Sequence, residues 1–146
     1  MTALNKDGKY TVSADIKSKI DENFVGYYAS EEETSATLKK FYSEYNYLAD
    51  THTSVALNCA EKYISDKNDG KKMIVASTAS PYKFAADVYK SITGDIAPEG
   101  TKALDALSEL TGTVITLPLR GLSEKEVRFM GVVEASEMLE EVYKFM

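Results

Sequence analysis

Apolar residues along the chain follow two kinds of spacing, which predict helices and strands in alternation. Stripes with the three- to four-residue spacing of an amphipathic helix follow Ser30, Asp50 and Ser80. Each of these side chains can accept a hydrogen bond from an orphan backbone N–H and so begin a helix. Ser30 with Glu33 has the capping-box pattern, and Pro81 suits the first helical turn. Further helices are predicted over residues 13–20, 100–110 and 134–145.

Short apolar or β-branched runs predict strands between these helices. The clearest run is MIVA at residues 73–76, which has no polar alternation, as expected of a strand covered on both faces. Weaker runs of the same kind lie at residues 10–12, 24–28, 114–117 and 127–129. The alternating order predicts an α/β fold, a three-layer sandwich in which a small, mostly parallel sheet is flanked by helices.

Length and composition predict a single domain over residues 1–146. The chain has 146 residues, of which 44% are hydrophobic, and this is enough to build a sizeable core. The sequence contains no repeat, low-complexity tract or proline-rich linker that would divide it.

Charge and residue counts argue against several classes of partner. The net charge of −6 disfavours a nucleic-acid or anionic membrane surface. No apolar stretch is long enough to span a membrane, and the start of the chain has no apolar signal-peptide core, so we expect a cytoplasmic protein. With one cysteine, Cys59, and one histidine, we expect neither an internal disulfide nor a metal site.

Candidate chemistry is concentrated where the run at 73–76 ends. The residues that follow, Ser77 and Thr78, carry hydroxyls, and the next helix starts at once. Ligands of parallel α/β sheets bind in the crevice outside the carboxyl ends of the strands. Thr78 is therefore a candidate ligand-binding residue.

The same residues resemble a known family. Residues 77–84, STASPYKF, are similar to the S/G-T-A-H-P-x-K-F segment of threonine synthases, and residues 50–56, DTHTSVA, resemble the D-P-H-T-A-V-A segment at a similar distance upstream. Residues 24–34 are similar to the strand and helix start that precede these segments. The likeness extends over roughly residues 20–95 and fades afterwards.

The resemblance implies a part of the tryptophan-synthase-like fold of pyridoxal-phosphate (PLP) enzymes. The intact enzyme is expected to convert O-phosphohomoserine and water to threonine and phosphate. By position, Thr78 corresponds to the Ser or Thr that faces the pyridine nitrogen of PLP. A hydroxyl there suits a neutral pyridine nitrogen, whereas a carboxylate would favour the protonated ring.

Three further residues invite a functional interpretation and receive a structural one. Ser80 stands where the family often has His, so no role of that imidazole transfers, and Ser80 is expected to cap a helix. His52 matches the family's histidine, but at a helix start we expect a hydrogen-bonding role. Cys59 is expected to be a small core residue on the apolar face of its helix. No residue of this chain is predicted to be catalytic.

Two motifs that the resemblance would require lie outside these residues. The family's Schiff-base lysine has an S/T-x-x-F-K-D-like context and its phosphate loop a G-N-F-G-N-like context, and neither occurs in residues 1–146. All eight glycines are isolated, so no glycine-rich loop can cradle a phosphate. We therefore expect a carboxyl-terminal domain or fragment that binds no PLP and is inactive by itself. Its expected partner is the missing amino-terminal portion of the same enzyme.

Two alternatives compete with this interpretation. One is a fragment of a related serine or threonine dehydratase, against which the paired DTHTSVA and STASPYKF segments argue. The other is a stand-alone, non-catalytic α/β binding or interaction module. A fragment should expose a large apolar face where its partner packs, whereas a module should be polar on all sides and monomeric.

Overall fold

The computed structural model describes residues 2–128 and 130–144, and the regular secondary structure of these residues consists of helices joined by irregular segments. Three α-helices precede the two motif segments, a fourth carries most of the first segment, and three follow the second segment. The α-helices of this part of the chain are α1 Thr2–Asp7, α2 Ala14–Asp21, α3 Glu31–Tyr45, α4 Thr51–Lys67, α5 Ala85–Thr93, α6 Lys102–Thr111 and α7 Met138–Lys144. Short 3₁₀ helices occupy Pro81–Phe84, Leu117–Leu119, Leu122–Glu124 and Ala135–Glu137.

The predicted α/β three-layer sandwich is wrong for this chain. Residues 10–12, 24–28, 73–76 and 114–117 form no strand, and the described residues contain no sheet. Of the run at 127–129, residues 127 and 128 are not in a strand, and residue 129 lies outside the described residues. An apolar run becomes a strand only when a neighbouring strand pairs with its backbone, and in this chain helices pack against helices instead.

The predicted helices that follow the capping residues are present, because their start signals are local. Ser30 accepts a hydrogen bond from Glu33 N, and Glu33 Oε2 accepts one from Ser30 N, which completes the capping box at α3. Helix α4 ends at Lys67, with Asn68 in the left-handed conformation at a φ of 43°. Helix α1 was not predicted. Helix α7 is shorter than predicted, and residue 145 lies outside the described residues.

The core lies where α3, α5 and α6 meet. Helix α3 packs against α4 and α5, and α5 packs against α6. The largest fully buried apolar side chains are Leu38, Val88 and Leu107, one from each of the three helices. By contrast, α1, α2 and α7 bury no side chain among the described residues. The buried side chains of the described residues thus lie between Thr34 and Leu107, a range that includes both motif segments.

The tyrosine of the second motif segment anchors this core. Tyr82 is 4% exposed and belongs to the main apolar cluster. Its hydroxyl donates to the carbonyl oxygen of Thr113 at 2.8 Å and lies 2.7 Å from the Thr113 hydroxyl. Ser108 Oγ donates to the same carbonyl at 2.7 Å. The end of α6 is therefore fixed to the segment that carries STASPYKF.

Candidate functional site

The start of α4 is built around a buried carboxylate. Asp50 is fully buried, and its Oδ1 accepts hydrogen bonds from the backbone N–H groups of His52 at 2.9 Å and Thr53 at 3.3 Å. The Thr53 hydroxyl donates to Asp50 Oδ2. A carboxylate here also interacts favourably with the positive end of the helix dipole. Asp50 thereby fixes the positions of the three residues that follow it.

One hydroxyl pair joins the two motif segments. Thr53 Oγ1, at the start of α4, lies 3.0 Å from Ser77 Oγ, which follows the apolar run at 73–76. The two residues are 24 positions apart in sequence, so this contact is tertiary. The segments DTHTSVA and STASPYKF, which carry the family resemblance, are therefore neighbours in space.

His52 provides a second contact between the segments. Its ring lies against Phe84, with ring centroids 4.9 Å apart. Its Nδ1 is 3.5 Å from Asp50 Oδ1 and 3.5 Å from the Thr51 hydroxyl. The side chain is nevertheless 65% exposed. These contacts agree with the predicted hydrogen-bonding role of His52.

Ser80 caps the turn that follows, as predicted. Its hydroxyl accepts a hydrogen bond from Tyr82 N at 3.3 Å, and Pro81 occupies the first turn of the 3₁₀ helix. Cys59 is half-buried in α4 and has no disulfide partner among the described residues. The buried side chains of α4 are Thr53 and Ser54, so the core-facing side of this helix is polar.

Thr78 belongs to the second motif segment and lies between Ser77 and Ser80 in the sequence. It is exposed, and its hydroxyl makes no hydrogen bond within residues 2–128 and 130–144. The hydroxyl of the neighbouring Ser77 contacts the Thr53 hydroxyl, and the hydroxyl of Ser80 accepts a hydrogen bond from Tyr82 N, so side chains on both sides of Thr78 are engaged. The exposed Thr78 hydroxyl can donate one hydrogen bond to a ring nitrogen. In this respect the residues present fit a pyridine ring.

Two hydrogen bonds attach the segment 24–29 to α4, and an ion pair joins α3 to the same helix. Tyr27 OH donates to Asp66 Oδ2 at 2.8 Å, and this hydrogen bond raises the pKa of the Tyr27 hydroxyl. Lys62 donates to the carbonyl oxygen of Tyr28 at 2.8 Å and pairs with Glu33 at 2.7 Å. The hydrogen bond from Lys62 is the main cause that lowers the pKa of the Glu33 carboxyl.

Sequence reasoning missed a cleft of about 620 Å³ that opens between α3, α4 and α5. Its wall includes Thr51 and His52 from the first motif, but not Thr78. Charged side chains of both signs complete the wall, and they come from α3 and α5. The spacing of Glu31, Ser35 and Lys39 along one side of α3 was a usable signal. The residues of α5 that face them are about 50 positions away in sequence, and no local pattern links the two helices.

Two further structural findings concern metal ligands and membrane spans. No group of three or more His, Cys, Asp or Glu side chains that could hold a metal ion occurs within the described part of the chain. None of the helices built from the described residues is both long and apolar enough to cross a membrane.

Comparison with known proteins identifies the family. The family described as threonine synthase, C-terminal, matches residues 53–143. Threonine synthase of Saccharomyces cerevisiae is 34% identical over an alignment of 119 residues, and the match covers 73% of this chain and 23% of that protein. Threonine synthase of Schizosaccharomyces pombe is 34% identical over an alignment of 88 residues, and the match covers 58% of this chain and 16% of that protein.

The matches cover most of this chain but only a small part of each relative. The chain spans less than a quarter of the length of either curated relative. The matched residues include all of STASPYKF and continue into α7. Because the family matches more than half of the chain, we conclude that this chain belongs to the threonine synthase family and corresponds to its carboxyl-terminal portion.

Proposed function

We propose that this chain is a working part of a threonine synthase and acts together with the remaining, amino-terminal portion of that enzyme. The complete enzyme would convert O-phosphohomoserine and water to threonine and phosphate with PLP, as a lyase of threonine biosynthesis in the cytoplasm. The observation that carries this proposal is an unusually large exposed surface on a chain that matches only a fraction of its relatives.

The exposed area supports a missing packing partner. The chain exposes 11557 Å². A compact monomer of 16.1 kDa is expected to expose about 7,400 Å². The chain therefore has roughly one and a half times the surface of a self-sufficient domain of its mass.

The apolar residues that add to this surface lie mainly in extended segments. Ile74, in the middle of the run at 73–76, is 96% exposed, and Phe24 is 72% exposed. Val114 and Val132 are 72% and 95% exposed. Large contiguous apolar surfaces mark places where another protein surface packs. A module that functions alone would cover or replace these residues with polar ones, so the exposure favours a fragment over a stand-alone module.

We assign Thr78 one contact with the cofactor in the complete enzyme. PLP, when bound, supplies the electron sink for reactions at carbons of an amino-acid substrate. The Thr78 hydroxyl would form a hydrogen bond with the pyridine nitrogen and keep it neutral. The contacts of Ser77 and Ser80 would orient Thr78 for this purpose.

The other cofactor contacts belong to the remaining portion in this proposal. Residues 1–146 include neither a lysine in the S/T-x-x-F-K-D-like context nor a G-N-F-G-N-like loop. The amine that binds the cofactor and the amides that bind its phosphate would come from that portion. We therefore propose that this chain turns over no substrate by itself.

A chimera tests this function directly. The segment of the S. cerevisiae enzyme that matches this chain is replaced by residues 1–146, and phosphate release from O-phosphohomoserine is measured. We expect phosphate release with the chimera and none with the 146-residue chain alone. A soluble chimera that shows the absorbance of bound PLP but releases no phosphate would refute the proposal.

Thr78 is then tested in the active chimera. Thr78→Val removes a single hydrogen bond, so we expect a three- to tenfold loss of turnover, equivalent to about 1 kcal/mol. Thr78→Ser keeps the hydroxyl and is expected to keep most of the activity. Equal activity of Thr78→Val and the parent chimera would remove Thr78 from the site.

A further inference from the structure

The cleft between α3, α4 and α5 carries an unusual arrangement of charge. Glu31 and Lys39 contribute from α3, and Asp87 and Lys90 contribute from α5. Two acidic and two basic residues, all of them exposed, thus contribute to the wall of one cavity of about 620 Å³. None of the four forms an ion pair with another residue among those described, although other lysines of the chain do.

Four residues of the cleft wall carry hydroxyl groups. Thr34, Ser35, Thr51 and Ser91 all line the cleft. The Ser91 hydroxyl donates to the Asp87 carbonyl oxygen at 2.8 Å, and Thr34 Oγ1 donates to the Ser30 carbonyl oxygen at 2.7 Å. Both hydroxyls donate their hydrogen bond to a backbone carbonyl oxygen, so their oxygens can still accept a hydrogen bond from a ligand.

The equal numbers of acidic and basic residues in the cleft wall indicate which class of ligand would fit. Two carboxylates offset two lysines, so the cleft lacks the excess positive charge that attracts a phosphate or a nucleotide. A molecule that carries one cationic and one anionic group can pair with a carboxylate and a lysine at the same time. Its hydroxyl or carbonyl groups can then bond the remaining hydroxyls of the wall.

We propose that this cleft binds a small zwitterionic ligand of the free amino-acid class. The ligand carboxylate would lie towards Lys39 and Lys90, and the ligand ammonium towards Glu31 and Asp87. Cavities of roughly 300–1,000 Å³ are typical of small-molecule sites, and this cleft falls within that range. This site goes beyond the proposed function, because all of its wall comes from the described residues of this chain and it needs no cofactor.

The His52 ring connects the cleft to the motif segments. His52 lines the cleft and also lies against Phe84 of STASPYKF. A ligand in the cleft would therefore be in reach of the contact that joins the two segments. Resonances of Phe84 and its neighbours should respond to the ligand as well as those of the cleft wall.

The test is a titration of the 146-residue chain followed by two-dimensional ¹H–¹⁵N NMR. The probe is L-threonine, compared with N-acetyl-L-threonine, which lacks the cation, and L-threonine amide, which lacks the anion. We expect saturable shifts of α3, α5 and the start of α4 with L-threonine at millimolar concentration. Each derivative should bind about tenfold more weakly, because each loses one charge-assisted contact.

Variants locate the effect in the cleft. Lys90→Met and Asp87→Asn are each expected to weaken L-threonine binding about tenfold. Lys83→Met and Glu109→Gln change exposed charges outside the cleft and should leave the affinity unchanged. The proposal is overturned if L-threonine produces no saturable shifts, or if both derivatives bind as well as L-threonine. Because the titration uses no PLP and no partner, its failure is distinguishable from failure of the chimera.

Discussion

At the residue scale, Asp50 is the side chain on which the arrangement of the first motif depends most. It is fully buried and accepts two backbone N–H groups and the Thr53 hydroxyl. Removing an N-cap costs about 1–2 kcal/mol. Because Thr53 also contacts Ser77, loss of Asp50 would loosen both motif segments.

We predict that Asp50→Ala lowers the free energy of unfolding by about 2 kcal/mol, measured by urea denaturation. Asp50→Asn keeps the shape and one acceptor oxygen and should lose less. Ser13→Ala serves as the control, because Ser13 caps α2, a helix that buries no side chain. If Asp50→Ala and Ser13→Ala have the same effect, Asp50 does not organise the core.

Glu33 gives a pH-dependent prediction at the same scale. Its pKa is lowered below the ordinary value of 4.5, first by the Lys62 hydrogen bond and then by the backbone N–H of Ser30. Because the folded pKa is below the unfolded one, this contribution to stability is fully present above pH 4.5 and is lost as the pH falls through the lower folded value.

We therefore expect Glu33→Gln to flatten the acid side of the stability profile. Glutamine can still accept from Ser30 N, so the variant removes the charge and keeps the capping geometry. The measurement is the urea midpoint at a series of pH values from neutral to acidic. Glu99→Gln, at an exposed loop position, should reproduce the parent profile. Parallel profiles for Glu33→Gln and the parent would contradict the prediction.

At the scale of elements, α6 shows how one helix face supports the core. Leu107 is fully buried in the main apolar cluster, whereas Leu110 on the same helix is 38% exposed. Truncation of a fully buried leucine costs about 2–5 kcal/mol, since transfer and cavity effects add. Truncation of a partly exposed leucine leaves less of a cavity.

Leu107→Ala should therefore lower the free energy of unfolding by about 2–5 kcal/mol, and Leu110→Ala by clearly less. The two variants make the same change in helix propensity, so the difference between them reports packing alone. Urea denaturation followed by circular dichroism measures both. Equal losses would mean that the α5–α6 contact is not part of the cooperative core.

The same scale explains which elements could be predicted from the sequence. Helix starts at Ser30, Asp50 and Ser80 were predicted because a cap and its N–H partners lie within three residues. The predicted strands were wrong for the described residues, because a strand requires a pairing partner that no local pattern supplies. The run at 73–76 has the apolar composition of a covered strand, yet Ile74 is 96% exposed. The composition of this run suits a strand covered on both faces, and the described residues of this chain do not cover it.

The candidate site was predictable to the same extent. The two motif segments were recognised from the sequence, but their proximity in space, seen in the contact of Thr53 with Ser77, was not predicted. The role of Thr78 stays a prediction, since its hydroxyl has no partner among the described residues. The cleft could not be predicted, because Lys39 and Asp87 belong to helices far apart in sequence and meet only through the α3–α5 contact.

At the scale of the whole molecule, the excess surface predicts how the isolated chain behaves in solution. The chain exposes 11557 Å², and strongly exposed apolar side chains such as Phe24, Ile74 and Val132 lie in extended segments. Extended segments with unpaired backbone groups and apolar side chains associate with one another. We expect the 146-residue chain alone to self-associate as its concentration rises, as measured by sedimentation velocity.

Two matched substitutions decide where that association arises. Ile74→Lys places a charge in the extended segment and should shift the chain towards monomer. Ile96→Lys changes a residue of similar exposure, 89%, in the loop between α5 and α6 and should have little effect. In the chimera, Ile74→Lys should also reduce phosphate release, since the charge would lie where the remaining portion packs. A monomeric parent chain would instead favour the stand-alone module, because a surface that needs no partner does not have to be covered.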